Sequence, residues 1–327
     1  MNDLNEHIEV KTIFSKSYLG RILRIRREIR KGWQDVVISF LETPNFLANI
    51  ASIGKRSWSV ITSERNAIED NFYGTKKKIF KYFEKFSDFL VCNSYSAQDL
   101  WIKHYPRYKN KTRVIHNMVP DFDLPRNDSN YTFSKSKEIK VIVAARVNED
   151  KNPRGLLTAQ SIMRPEDREK LIIEWYGRFD GKVQSFKKEI GDLLLKFNLT
   201  DVVKFLPETN NIIEIMSGAD IIGLFSRFEG LPNAILEGMS LSKPIIMSRV
   251  SDYKYLVNDR NGFTFEWDNP IQIAGVLERV SKMTEADILE RGKESKKIAD
   301  NLFSPDAFAE KWLNLLKACE PIKYKKR

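Results

Sequence analysis

The stretch Asp220–Ser248, DIIGLFSRFEGLPNAILEGMSLSKPIIMS, decides the fold. Its opening run, DIIGLF, is apolar almost without alternation, as strands covered on both faces are, and such strands belong to parallel sheets. The run ends at Phe225 and gives way to a loop carrying Ser226, Glu229 and Gly230. Pro232 stands where a helix begins, a position proline favours because its missing N–H has no intrahelical partner there. The helix runs to about Leu241, and Pro244 opens the next strand. Ligands of parallel α/β sheets bind beyond the carboxyl ends of the strands, where this loop lies. A helix start offers unpaired N–H groups and a partial positive charge suited to a phosphate or to sugar hydroxyls, and Gly230 lets the backbone approach a ligand closely. With a helix starting near Leu231, Glu237 lies about 10 Å along it. Glu229 at the mouth and Glu237 deeper are then placed to span a nucleotide sugar, Glu229 on the sugar and Glu237 on the ribose hydroxyls. The competing assignment makes Glu229 a helix cap and Glu237 a surface glutamate.

Working outward, short β-branched runs alternate with helical stretches along the whole chain. The expected strands are Ile8–Ile13, Val36–Phe40, Trp58–Thr62, Phe89–Cys92, Arg113–His116, Ile139–Ala145, Leu171–Tyr176, Val202–Leu206, Asp220–Phe225, Pro244–Ser248 and Gly262–Phe265. Strand–helix alternation predicts parallel sheets with right-handed crossovers. Residues 120–137, PDFDLPRNDSNYTFSKSK, have the composition of a linker. The expected organisation is a first domain over 1–135, a second over 136–303, and a final helix with a basic tail over 304–327. Phe308, Trp312 and Leu315 form the apolar stripe of that helix and should pack back across the junction.

With 327 residues, two domains are the default. A composition of 42% hydrophobic and 30% charged residues excludes disorder, and no apolar run approaches the roughly 18–20 residues of a membrane span. Two cysteines, Cys92 and Cys319, cannot build a disulfide framework, and three scattered histidines predict no metal site and a cytoplasmic setting. Of the net charge of +10, +9 falls in residues 1–137. Two basic amphipathic helices carry much of it. In one, Tyr18, Ile22, Ile25 and Ile29 form the apolar face amid Arg21, Arg24, Arg27, Arg30 and Lys31; in the other, Ile79, Phe83 and Phe86 lie beside Lys76, Lys77, Lys78, Lys81 and Lys85. This half should face something anionic, such as a membrane surface. No RNA- or DNA-binding motif accompanies the charge, so nucleic acid is not the expected partner. The D-x-D of Asp121–Phe122–Asp123 lies in the linker and reads as solvated acid.

The segment FEGLPNAILEGMS (228–240) resembles the signature of family 4 glycosyltransferases, retaining nucleotide-sugar enzymes of the GT-B fold. Matches follow in the family's order: VIVAARVNEDKNPRGLLTAQ (141–160), LIIEWYG (171–177), VVKFLPETNNIIEIMSGAD (202–220) and KPIIMSRVSDYKYLVNDRNGFTF (243–265). In the first half, VITSERN (60–66), FLVCNSYSAQDL (89–100) and RVIHNMVP (113–120) are similar to the last elements of the family's first domain. The resemblance implies an α/β fold of two Rossmann-like domains whose parallel sheets face each other across a cleft. It implies that Arg146 and Lys151 bind the donor diphosphate and act with Glu229 in catalysis. Glu237, Gly230, Leu231, Pro232, Asn233 and Gly177 would surround the donor. It further implies a UDP-sugar donor as co-substrate without a metal, front-face attack by the acceptor hydroxyl, and a saccharide or lipid-linked saccharide acceptor in surface-polysaccharide assembly. The enzyme would work in the cytoplasm or at the inner face of the plasma membrane.

The sequence departs from the family pattern in places. The expected first domain is truncated, since no strand and glycine-rich loop of the usual kind precede Gly20, and a sheet of five strands remains. A chain so shortened has an alternative role as a non-catalytic relative that binds nucleotide or a partner enzyme. Glu64 and Arg65 stand where many members carry a histidine facing the transferred sugar, and Arg65 is a candidate for a phosphate or the acceptor. Ala145 and Pro207 replace glycines close to the ligand.

Overall fold

A computed structural model describes residues 8–120, 122, 138–180 and 184–319. Among the described residues, ten strands form two sheets. The first holds β1 (Val36–Phe40), β2 (Ser59–Glu64), β3 (Phe89–Cys92) and β4 (Thr112–Val114), in that spatial order and all parallel. The second holds β5 (Ile139–Ala144), β6 (Leu171–Tyr176), β7 (Val203–Leu206), β8 (Ile221–Leu224), β9 (Ile245–Ser248) and β10 (Gly262–Phe265), again parallel, in the order β10-β9-β8-β5-β6-β7. The apolar runs become this second sheet because both of its faces are covered. Val141, Ile142 and Val143 are all fully buried, with Val141 and Val143 packing among Trp175, Phe225 and Phe265 on one face and Ile142 among Ile222, Met239 and Phe303 on the other.

The order fixes where a ligand can enter. From β5 the chain builds outward through β6 and β7, then returns to the other side of β5 with β8. The direction of winding reverses between β5 and β8, and ligands of sheets of this kind bind at such a reversal, beyond the carboxyl ends of the strands.

The first half has three helices on one side of its sheet, α2 (Glu42–Ala51), α3 (Thr75–Phe83) and α4 (Tyr95–His104), with α1 (Tyr18–Lys31) laid over α2. The other side is covered from the far end of the chain. In the Pro305–Ala318 helix, Phe308, Trp312, Leu315 and Leu316 pack on Ile61, Val91 and Ile115. Ser304 starts that helix by accepting from the Ala307 N–H, with Pro305 in its first turn.

Two expectations fail in the first half. Ile8–Ile13 is not a strand, so the described sheet has four strands and not five. The alternation of the segment is real, but Ile8 and Val10 are exposed, and what fixes the chain is polar: Lys11 joins Glu28 at 3.0 Å, and Arg24 donates to the Phe14 carbonyl at 2.6 Å. In α3 the buried apolar residue is Phe80, whereas Ile79 is exposed; Lys81, assigned to the charged face, is buried. Phe80 stacks on Phe46 of α2 at 4.1 Å between ring centroids, and this pairing sets the rotation of α3. The linker and its division at 135/136 lie largely outside the described residues, as do Asp121 and Asp123.

Candidate functional site

The loops after β5 and β8 meet at the reversal point. Beyond β5 the chain passes Arg146 and turns through a short 3₁₀ segment, Glu149–Lys151, whose start is capped by Asn148 Oδ1 accepting from the Lys151 N–H at 3.1 Å. Lys151 Nζ then donates to Glu229 Oε1 at 2.5 Å, which binds the first loop to the second. Glu229 also accepts from Ser226 Oγ at 2.6 Å, and the Arg227 N–H donates to the Asp150 carbonyl at 2.7 Å. Lys151 and Glu229, far apart in sequence, thus form one mostly buried charged pair.

Arg146 stays on the rim. It is exposed and lies 3.6 Å from Asp180. The close approach that shapes its base comes from Gly177, where a Cβ would fall 2.0 Å from the Ala145 carbonyl oxygen, so only glycine fits at the end of β6. Pro207, just past β7, is exposed.

The helix after β8 starts later than expected, at Asn233, with Pro232 as its extended cap residue. Glu237 is therefore little more than one turn in, about 6 Å from the start at 1.5 Å per residue. Leu231 and Pro232 are buried, and Leu231 belongs to the core cluster of the second half. They anchor the loop, so any ligand contact from them is made by backbone. Glu237 is half-buried and lines a cavity of about 180 Å³ with Asn117, Met118, Val119, Pro120 and Asn233. Burial pushes its carboxyl above the usual glutamate range.

Across this loop stands the end of β2. A Cβ at Gly230 would meet the Arg65 carbonyl oxygen at 2.4 Å, so the two halves touch here through backbone, and Ser251 Oγ donates to the Gly230 carbonyl from the other side. Arg65 places its guanidinium 4.9 Å from the centre of the Phe40 ring and donates to Asn117 Oδ1. Asn117 in turn donates to Asn233 Oδ1 at 2.8 Å. Partial burial lowers the Arg65 pKa from its ordinary value. Glu64 takes no part in this line. It is buried, its Oε1 accepts from the N–H groups of Arg65 and Asn66, and its Oε2 faces Lys81 Nζ at 3.5 Å. Its geometry shapes the loop that presents Arg65, and the expected contact of Glu64 with a substrate finds no free oxygen.

Sequence reasoning missed Asn117, which joins Arg65 to Asn233, and Asp252. Asp252 is buried beyond β9 and accepts from the Tyr95 and Ser96 N–H groups, at 2.8 and 2.9 Å, and stands 3.1 Å from His116 Nε2. It caps α4 of the other half. A lone asparagine or aspartate carries no pattern in sequence; only the packing of the two halves gives these residues their roles. Burial by itself would raise the Asp252 carboxyl, but the hydrogen bonds from His116, Ser96 and Tyr95 outweigh it and hold the group below the usual aspartate range.

The family description "Glycosyl transferases group 1" matches residues 126–300, more than half of the chain. An uncharacterized glycosyltransferase of Methanocaldococcus jannaschii is 26% identical over 260 residues, covering 74% of this chain but only 62% of that protein. A Campylobacter jejuni transferase is 24% identical over 320 residues, covering 95% and 83% of the two chains; its name gives it as an α-1,4-N-acetyl-D-galactosaminyltransferase acting on an undecaprenol-diphosphate-linked saccharide. Among solved structures, Anabaena HepE in complex with UDP superposes with a TM-score of 0.79 at 16% identity, covering 91% of this chain and 82% of that one. A glycosyltransferase from Rickettsia africae gives 0.78 at 19% identity, covering 95% and 84%. The chain belongs to the group 1 glycosyl transferases and has the two-sheet α/β architecture of the GT-B glycosyltransferases.

Proposed function

We propose that this glycosyltransferase takes a UDP-sugar and transfers the sugar, with retained anomeric configuration, to a saccharide or lipid-linked saccharide. The observation that carries the proposal is the Lys151–Glu229 pair, closed by Ser226, at the carboxyl ends of β5 and β8. The sheet reversal supports this position for the donor, and the pair supplies a fixed cation and a fixed acceptor within one loop junction. Lys151, with Arg146 at the rim, neutralises the diphosphate as it leaves, a task that preplaced charge performs without reorganisation. Glu229 accepts from sugar hydroxyls. Glu237 accepts from the ribose diol, and Asn233 with Asn117 and Arg65 closes the acceptor side. In the transfer step the bond from the anomeric carbon to the phosphate oxygen breaks. The bond to the acceptor oxygen forms on the same face, and the acceptor proton passes to the leaving phosphate. The proposal assigns charge neutralisation to these side chains, with no metal required. The UDP bound by the Anabaena neighbour and the lipid-linked saccharide named for the Campylobacter relative support the choice of donor and acceptor.

Thermal unfolding with UDP, GDP, ADP and dTDP tests the donor. A ligand at about 100 times its Kd stabilises the native state by about 2.7 kcal/mol, a rise of a few degrees for a chain of this size. UDP alone should produce it, and Lys151→Ala should abolish it. No shift with any nucleotide from a cooperatively unfolding protein overturns the proposal; a shift with another nucleotide overturns the donor. Proton NMR of the product's anomeric centre then tests retention.

A further inference from the structure

Lys151 must be aimed before it can meet a diphosphate, because fixed charge stabilises a developing anion where mobile charge would first have to reorganise. The residue that follows it has an unusual backbone. Asn152 sits at φ 57° and ψ 48°, in the left-handed region, which only glycine, asparagine and aspartate visit at little cost. It ends the Glu149–Lys151 turn, with its own N–H donating to the Glu149 carbonyl at 3.1 Å. It also starts the next helix, Pro153–Ile162, where its Oδ1 accepts from the Gly155 N–H at 3.0 Å.

The other end of the same amide reaches a distant loop. Asn152 Nδ2 donates at 2.7 Å to the carbonyl of Trp267, just past β10, the edge strand that β9 and β8 separate from β5. The helices behind the two loops share one buried cluster, Leu156 and Leu157 from one and Ile273 and Leu277 from Pro270–Val280. The loop after β8 closes the ring. Arg227 donates its N–H to the Asp150 carbonyl at 2.7 Å and lays its guanidinium 5.0 Å from the Trp267 ring centre. Residues 150 and 152 are thus both held from outside, and Lys151, its own N–H bound by Asn148, lies between them. Gly155 leaves the room for the amide: a Cβ there would fall 2.3 Å from Asn152 Nδ2 and 2.7 Å from Oδ1.

We propose that Asn152 is a positioning residue for the donor, aiming Lys151 at the diphosphate by tying the loops after β5 and β10 together. Three demands meet at this position: a left-handed backbone, an acceptor for the helix start and a donor for the Trp267 carbonyl. Glycine meets the first alone, aspartate the first two, and alanine none of them. Asparagine meets all three. The inference rests on the reading of Lys151 as the cation of the diphosphate and adds the residue that holds it in place.

Two uncharged substitutions in the full chain undo the tie and leave Lys151 itself in place. Asn152→Gly keeps the backbone conformation and removes the amide, and glycine at a helix start costs little. Gly155→Ala keeps Asn152, drives its amide out of position, and favours the helix that it sits in. Calorimetric titration with UDP should show each weakening affinity by roughly tenfold, within the coupling range of residues in contact, while the denaturation midpoint barely moves. The same substitutions are then made in Lys151→Met and titrated to millimolar UDP. There each should change affinity by less than about twofold, because a residue that acts through Lys151 has nothing left to aim. Without nucleotide, hydrogen exchange should rise at the Lys151 and Arg227 amides in both variants and stay slow along β5. Unchanged UDP affinity in either variant overturns the proposal. So does an equal loss in the Lys151→Met background, or a loss that follows the denaturation midpoint. A parent that does not bind UDP, or binds it as tightly after Lys151→Met, removes the donor reading. Raised exchange at Lys151 and Arg227 would then leave the tie between the loops standing, and unchanged exchange would overturn that as well.

Discussion

Each half of the molecule sets a lysine against a glutamate at the end of a parallel strand, and the two pairs are built in opposite ways. Lys81 comes from α3 into the interior of the first half, with its ammonium 4.6 and 4.7 Å from the ring centres of Phe72 and Trp101 and 3.5 Å from Glu64. Glu64 spends its other oxygen on the next two backbone N–H groups. Lys151 and Glu229 sit instead in two loops at the reversal of the second sheet, mostly buried, and among the described residues Ser226 is the one further side-chain donor to Glu229. Residue type is the same in both. The first pair is enclosed by the surfaces it holds together, and its desolvation is met by aromatic faces and backbone donors. The second holds together loops whose carriers, β5 and β8, already stand on an apolar core of their own. One pair therefore ties interior surfaces together, and the other ties two loops together at the sheet reversal.

Substituting each lysine separates the two. Lys81→Met should lower stability by about 3–5 kcal/mol, because it leaves Glu64 buried without its cation. Chemical denaturation measures this, and transfer per folded molecule should be unchanged. Lys151→Met and Glu229→Gln should do the reverse. Removing preplaced charge from a transition state costs about 10²–10³ in rate, or about 2.7–4 kcal/mol, while the denaturation midpoint should barely move. A Lys151→Met protein that unfolds early and still turns over would erase the distinction.

The same contrast explains what could be read in advance. The strands of the second sheet are legible to within a residue or two because burial on both faces forces continuous apolar runs such as VIVAA and DIIGLF. Ile8–Ile13 alternates as a strand does, but a strand exists only with a partner, and pairing is not encoded in one segment. In TKKKIFKYFEKF two rotations of the helix fit the apolar residues, and the choice of Phe80 over Ile79 is made by Phe46 of α2, thirty-odd residues upstream. Lys81 was hidden for the same reason, since nothing local says that a lysine in a run of lysines turns inward. Glu229, Gly230 and Glu237 are legible in the strand–loop–proline–helix pattern, and Arg146, Lys151 and Gly177 in the resemblance of whole segments. The structure adds which of them meet: Lys151 with Glu229, Arg65 with Asn117 and Asn233, but not Glu64 with the cleft.

Asp252 extends the comparison to the seam between the halves, as a carboxylate from the second half capping a helix of the first. Asp252→Asn removes the charge from three hydrogen bonds and should cost about 1.5–3 kcal/mol. Hydrogen exchange resolves it locally, with protection of the Tyr95 and Ser96 amides falling while that of β5 is kept. The native carboxyl lies below its ordinary value, so its contribution is fully present above the unfolded pKa of about 3.9 and is lost as pH falls through the folded one. Acid should therefore loosen α4 before it loosens the second sheet, and in Asp252→Asn that difference should vanish.

Glu237 is the third kind of carboxylate, held by no ion pair among the described residues and raised by burial beside the cavity of Asn117 and Asn233. A ribose diol donating to it favours the charged form, so the bound state should have a lower Glu237 pKa than the free one. The sign follows: affinity for a nucleotide sugar is greatest above the raised pKa and falls as pH drops through it, since the protonated carboxyl must then be ionised on binding. A UDP-sugar is the right probe, because its diphosphate is doubly esterified and does not titrate in this range. Calorimetry should show proton release on binding as pH falls through the raised pKa and an overall loss of up to about tenfold in affinity per pH unit. Glu237→Gln should bind about tenfold more weakly at neutral pH and show neither effect. A parent whose affinity is flat with pH would put the ribose elsewhere. A slope that survives in Glu237→Gln would assign the titration to another group and leave Glu237, like Glu64, a carboxylate of the structure and not of the site.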